Sequence, residues 1–222
     1  YMIEAAPDAL KDIVPAEKDG FRRYVRREPV GVVMTVAPWN FPYMTAVNSI
    51  WPALAAGNAV ILKHAAQTVL AGERMARVLT EAGLPDGVFQ SLHMDHATAA
   101  VVMQAPPVRL VCFTGSVGAG HAVQRTLAEA DGFPGAGLEL GGKDPAYVRA
   151  DADIAHAAAG IADGGFFNSG QSCCAIERVY VDASVYDEFV ERLCTEVRSL
   201  KLGNPLEPAT TLGPLVKPEA AD

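Results

Sequence analysis

From Val30 onward, continuous apolar runs alternate with segments of helical spacing, and this alternation constrains the fold more than any other feature of the chain. "VGVVMTVAP" (30–38), "NAVILK" (58–63), "VFQSLH" (88–93) and "VRLVCFTGS" (108–116) read as strands. Unbroken apolarity of this kind suits strands covered on both faces. Between them "TAVNSIWPALAAG" ends at Gly57, "QTVLAGERMARVLTEAGLPDG" carries an apolar stripe with a Gly83 stop, and "ATAAVVMQ" and "GHAVQRTLAEA" complete the helices. Strands alternating with helices predict a doubly wound parallel α/β sheet. Ligands of such sheets lie outside the carboxyl ends of the strands, so residues just after each strand are the candidates for chemistry. A second α/β stretch begins near Lys143, with a helix over 153–167, a strand over 175–181 and a helix over 184–200.

Ahead of the first strand, "DIVPAEKDGFRRYVRREP" offers two extended runs around a Lys18-Asp19-Gly20 turn, a β-hairpin pattern. It is too polar to stand alone and is expected to pair with another sheet or subunit. Among 222 residues, half are hydrophobic and a fifth charged, enough apolar mass for a core. The net charge of −8 argues against nucleic acid or an anionic membrane surface as the main partner. No apolar run reaches the roughly 18 residues of a membrane helix. Four irregularly spaced cysteines form neither a disulfide framework nor a metal-ligand spacing. No metal site is expected, and with no signal-peptide pattern at the start the expected location is cytoplasmic. The chain opens at Tyr1 rather than methionine and stops after "LGPLVKPEAAD", so a piece of a longer polypeptide is expected.

Five groups fall where chemistry would sit. Pro38-Trp39-Asn40-Phe41-Pro42 follows the first strand, and its two prolines restrict the backbone around Asn40. An amide held in this way can donate to an oxyanion, although a rigid turn with a packed Trp39 would explain the motif as well. Lys63 ends "NAVILK", where a cation can hold a ribose hydroxyl or a phosphate; a solvated strand-end lysine is the plainer account. Gly115-Ser116-x-Gly118-x-Gly120 joins a strand to a helix, and the helix N-terminus there favours an anion. Its glycine order departs from G-x-G-x-x-G, so a tight turn is the alternative. Glu139 lies in an apolar, glycine-flanked strand, where a carboxylate is costly unless paired or raised in pKa, as suits a general base. An edge strand with Glu139 facing solvent is the other possibility. Finally Gly170-Gln171-Ser172-Cys173 is a tight turn expected to present a thiol at a helix start, where thiolate is favoured; for a cysteine taken alone an inert packed role is the commoner one.

In this order and spacing the groups resemble the NAD(P)-dependent aldehyde dehydrogenase superfamily. The match runs from about Lys11 to the end through "APWNFP", "GNAVILK", "AGLPDGVF", "FTGS", "LELGGKDP", "GQSC" and "LGPL". The resemblance implies Cys173 as nucleophile, Asn40 as oxyanion donor and Glu139 as the carboxylate that activates water. It implies Lys63 against the adenosine ribose, Gly115 and Ser116 at the pyrophosphate, and Trp39 beside the cofactor and substrate tunnel. Many NAD-preferring members carry glutamate where Ala66 stands, so NADP as well as NAD is expected as cofactor. "LKHA" looks like the string in some succinate-semialdehyde branches. The implied organisation is a lead-in helix of the cofactor domain (1–10), an oligomerisation hairpin (11–29), an NAD(P)-binding domain (30–141) and the first part of a catalytic domain (142–222). The implied reaction oxidises a small-molecule aldehyde to a carboxylic acid through a cysteine thiohemiacetal and thioester, in a homodimer or homotetramer of the full-length protein. The alternatives are an acylating, coenzyme A-dependent member, or a catalytically incompetent fragment that only binds nucleotide. A thiol redox protein using Cys173 and Cys174 ranks below these, since neighbouring cysteines close only a strained ring.

Overall fold

The computed structural model describes residues 1–221 and divides the chain into two compact units, Tyr1–Leu140 and Gly141 onward. The first begins with helix α1 (Met2–Ala9). It then runs β1 (Val32–Ala37), α2 (Pro42–Ala55), β2 (Ala59–His64), a 3-10 turn over Ala66–Thr68, α3 (Val69–Glu81), β3 (Phe89–Ser91), α4 (His96–Gln104), β4 (Val108–Gly115), α5 (Val117–Ala128) and β5 (Gly135–Leu140). All five strands are parallel, in the order β3-β2-β1-β4-β5. The order reverses between β1 and β4, which is the topological switch point of a dinucleotide-binding sheet.

Alternation along the strands sends side chains to two covered faces. Val33, Ala37, Val60 and Leu62 pack with Ala46, Ile50 and Ala53 of α2, with Met75 and Leu79 of α3 against them. Met34, Val111 and Phe113 pack with Ala99 and Met103 of α4 and with Val123 and Leu127 of α5 on the other. Two-sided cover is why these strands read as unbroken apolar runs. Asn58 ties the sheet's entry together: its Oδ1 accepts from Val30 N–H at 2.7 Å and Gly31 N–H at 3.2 Å, and its Nδ2 donates to the Ala53 carbonyl at 3.0 Å. Gly57, at φ +83°, ends α2, and the Gly57 and Asn58 N–H groups donate back to Leu54 and Ala53. This is a Schellman-type stop that only an achiral residue takes without strain.

The expected hairpin is present only in outline. Isolated antiparallel bridges join Ile13 to Val25 and Lys18 to Phe21 around Gly20, and no strand forms among residues 11–29. Phe21, Tyr24 and Val25 are exposed, and the two rings are capped by cations: Lys18 over Phe21, Arg22 and Arg26 over Tyr24. A lone polar hairpin has no apolar face to bury, so its ladder does not extend.

The second unit contains β6 (Asp144–Val148), α6 (Ile154–Phe166), a short 3-10 turn over Phe167–Gly170, β7 (Ile176–Val181) and α7 (Tyr186–Ser199). β6 and β7 are parallel neighbours. Val148, Ile154, Ala158 and Phe189 form its buried centre, with Val179, Val181 and Leu193 packed against them. Asp153 starts α6 by accepting the His156 N–H at 3.0 Å, a side-chain N-cap. Among the described residues no helix is long and apolar enough to cross a membrane.

Candidate active site

Because the sheet of the first unit is parallel, the segments after its strands all leave from one edge. Asn40 follows β1, Lys63 and Ala66 lie at the end of β2, Gly115 and Ser116 at the end of β4, and Glu139 one residue before the end of β5. The register fixes this edge: Val36 stands opposite both Lys63 and Phe113, Thr114 opposite Glu139, and Gly115 opposite Leu140.

The Asn40 loop is built as its prolines suggest. Pro42 occupies the first turn of α2, where its missing N–H costs nothing. Asn40 Oδ1 accepts the Phe41 N–H at 3.1 Å, and the Phe41 carbonyl accepts from Thr45 N–H at 3.0 Å and Thr45 Oγ1 at 2.7 Å. The Asn40 carboxamide oxygen is thus turned to the backbone of its own loop. Trp39 is half-buried.

Lys63 is not the solvated strand-end lysine that its position allowed. It is only 8 % exposed, and among the described residues its ammonium makes neither hydrogen bond nor ion pair. Burial lowers its pKa from the ordinary value, and the Asp95 carboxylate partly offsets this. Asp95 is occupied as the N-cap of α4, accepting the Thr98 N–H at 2.8 Å. A buried cation without a bonded partner is costly.

At the end of β4, Ser116 caps α5 by accepting the Ala119 N–H at 3.3 Å. The three glycines here differ. A Cβ on Gly115 would stand 2.6 Å from the Phe113 ring, and one on Gly120 would stand 2.8 Å from Leu140 Cδ2, so these two permit close packing. A Cβ on Gly118 would meet nothing within 4 Å. The first turn of α5 is therefore open where an anion could approach its N–H groups. The Lys63 ammonium and this helix start fit the ribose and pyrophosphate of a dinucleotide. Ala66 is exposed in the 3-10 turn after Lys63.

Glu139 is not enclosed by apolar neighbours, and of its two readings the structure has the edge strand: β5 lies at one edge of the sheet, its Gly135-Ala136-Gly137 start carries little side chain, and Glu139 is exposed. Nor does Cys173 stand at a helix start. It lies, exposed, in the turn between the 3-10 segment and β7. Asn168, Ser169 and Gly170 have φ of 51°, 59° and 72°, and three left-handed residues in succession break any continuing helix.

That conformation is costly for the non-glycine residues and is held by specific bonds. Ser169 Oγ donates to the Gly213 carbonyl at 2.7 Å, and Gln171 Oε1 accepts the Val216 N–H at 2.7 Å. Gln171 Nε2 donates to the Asn168 carbonyl at 3.0 Å. The "GQSC" and "LGPL" strings are thus linked in space, which their separation in sequence did not indicate. Cys174, the neighbouring thiol, has its Sγ 3.2 Å from Ser172 Oγ and its N–H on the same oxygen at 3.4 Å. The other residue that sequence reasoning passed over is His64, 4 % exposed at the end of β2.

The sheet order, the open helix start at the switch point and the buried cation on the second strand define an α/β protein of dinucleotide-binding architecture. The chain belongs to the aldehyde dehydrogenase family, whose model matches residues 1–222. It is 41 % identical over 210 residues to a mitochondrial aldehyde dehydrogenase of Leishmania tarentolae, covering 94 % of this chain and 42 % of that protein. It is 39 % identical over 201 residues to an NADP(+) succinate-semialdehyde dehydrogenase of Mycobacterium avium, covering 90 % of this chain and 42 % of the relative. Among solved structures, an NAD-dependent aldehyde dehydrogenase from Sinorhizobium meliloti superposes with a TM-score of 0.93 at 38 % identity, over 100 % of this chain and 44 % of that one. The chain therefore spans less than half the length of the relatives it matches.

Proposed function

We propose that the protein carrying this chain oxidises an aldehyde to a carboxylic acid with NAD⁺ or NADP⁺, using Cys173 as nucleophile. The observation that carries this reading is the Cys173 turn: an exposed thiol set on a strained backbone that Ser169 and Gln171 hold in place. Thiolate is the most nucleophilic side chain near neutral pH. It adds to the aldehyde carbon, and the resulting oxyanion is held by the Asn40 NH₂ and the Cys173 backbone N–H. The bound cofactor supplies the hydride acceptor that turns the thiohemiacetal into a thioester. Glu139 then takes a proton from water, whose oxygen attacks the thioester carbonyl; the acid leaves and the thiol is regenerated.

Lys63 and Ser116 hold the cofactor's ribose and pyrophosphate, with Gly115 allowing the backbone to come close and Trp39 beside the bound molecule. Ala66 places no carboxylate near the ribose, which supports acceptance of NADP as well as NAD. Exposed Phe21, Tyr24 and Val25 support a role for residues 11–29 as the arm of a homodimer or homotetramer. The test is an aldehyde panel with NAD⁺ and NADP⁺, with and without coenzyme A, read by reduced nicotinamide and by product mass. Carboxylic acid formed without coenzyme A is expected. Formation of acyl-coenzyme A only, with no turnover in its absence, would assign the chain to the acylating type and remove Glu139 from its role.

A further inference from the structure

We propose that His64 is a positioning residue, its buried imidazole fastening the carboxyl end of β2 to the backbone of the Asn40 loop so that the oxyanion donor is held in place. The inference rests on the reading of Asn40 given above. His64 Nε2 lies 3.0 Å from the Pro42 carbonyl, two residues after Asn40. A carbonyl can only accept, so Nε2 carries a proton. His64 Nδ1 lies 2.9 Å from Thr68 Oγ1 and accepts the Ala65 N–H at 3.2 Å, a donor shared with the Ala37 carbonyl at 3.0 Å. Both ring nitrogens are therefore used, in the neutral Nε2–H form, with the Thr68 hydroxyl donating to Nδ1.

Three segments meet on this ring. One is β2, which carries Lys63. The second is the first turn of α2, which follows Asn40. The third is the 3-10 turn Ala66–Thr68, which carries Ala66. The Asn40 loop has no side-chain N-cap at Phe41, so the bond from His64 to Pro42 is a side-chain anchor for the start of α2. A proton on Nδ1 would aim a second donor at the Ala65 N–H. The nearby charges oppose it too. Lys63 precedes the ring in β2 and His93 faces it from the segment after β3, while His93 Nε2 is itself 2.9 Å from Glu73 of α3. From α2 the ring meets the Pro42 carbonyl. Burial first, and then Lys63 and His93, lower the imidazole's pKa, against the raising effect of the Pro42 bond.

The test compares His64→Ala, His64→Gln and Asn40→Ala, singly and as the His64→Ala/Asn40→Ala pair, in the full-length protein. Loss of the clamp is expected to lower kcat by roughly 10- to 100-fold, the scale on which small misplacements act, with little change in KM for the cofactor. His64→Gln, whose amide can still donate to Pro42, is expected to recover most of kcat. The effect of His64→Ala should largely vanish when Asn40 is already alanine, as for two residues acting through one interaction. Asn40→Ala with wild-type kcat would overturn the underlying reading of the site. A lowered kcat for Asn40→Ala beside full kcat for His64→Ala would overturn the clamp alone, as would additive losses in the pair or a His64→Gln protein no better than His64→Ala. Wild-type protein gives a reading that needs no variant to fold: its melting temperature should fall as pH drops below 6.5, the ordinary histidine value, and a flat profile there would contradict a neutral buried ring.

Discussion

Lys63 shows at the scale of one residue how a functional group can cost stability. Its folded-state pKa lies below its ordinary value of 10.5 because burial penalises the ammonium. The unfolded chain therefore takes up the proton first as pH falls from alkaline values. Stability is lost as pH falls through 10.5 towards the folded value, and stays reduced below it. At neutral pH the native state carries this penalty in full. Lys63→Met is accordingly expected to raise the denaturant midpoint at pH 7 while weakening cofactor binding, measured by titration of NAD⁺ and NADP⁺. A variant less stable than wild type would make Lys63 a structural residue instead. Little of this was legible in "NAVILK". A lysine after an apolar run says where the strand ends, while its burial and its nearby Asp95, more than thirty residues later, appear only in the fold. His64 was hidden for the same reason: its partner Pro42 comes to it only when β2 lies beside β1.

At the scale of elements, the β-α alternation carried most of the information. β1, β2 and β4 are covered on both faces, so their sequences are apolar without a break. β5 is less legible, because an edge strand starting Gly135-Ala136-Gly137 has no such requirement. The turn before Cys173 reads from sequence as a helix start, since nothing in "NSGQSC" forces Asn168 and Ser169 into left-handed backbone. Bonds to Gly213 and to Val216, over forty residues on, hold that conformation. The glycines of α5 separate packing from ligand access. Gly118→Ala is expected to be neutral or stabilising, by up to about 1 kcal/mol, the usual helical difference between the two residues, because its Cβ meets no atom within 4 Å. Gly120→Ala is expected to destabilise, since its Cβ would stand 2.8 Å from Leu140 Cδ2. Thermal unfolding of the two variants checks both signs, and equal shifts would contradict the packing described for α5.

At the scale of the molecule, the chain consists of two units with different tasks. The first supplies a dinucleotide-type sheet whose carboxyl edge carries an amide, a buried cation and an open helix start. The second supplies a strained turn with two adjacent cysteines. In the proposed mechanism the first of the pair is the nucleophile: Cys173 follows the Gly170-Gln171-Ser172 turn, whereas Cys174 contacts the Ser172 hydroxyl. The most direct measurement is aldehyde-dependent formation of NADH or NADPH by Cys173→Ala and Cys174→Ala forms of the full-length protein. Cys173→Ala is predicted to abolish it and Cys174→Ala to leave it largely intact. Undiminished turnover by Cys173→Ala would contradict the mechanism.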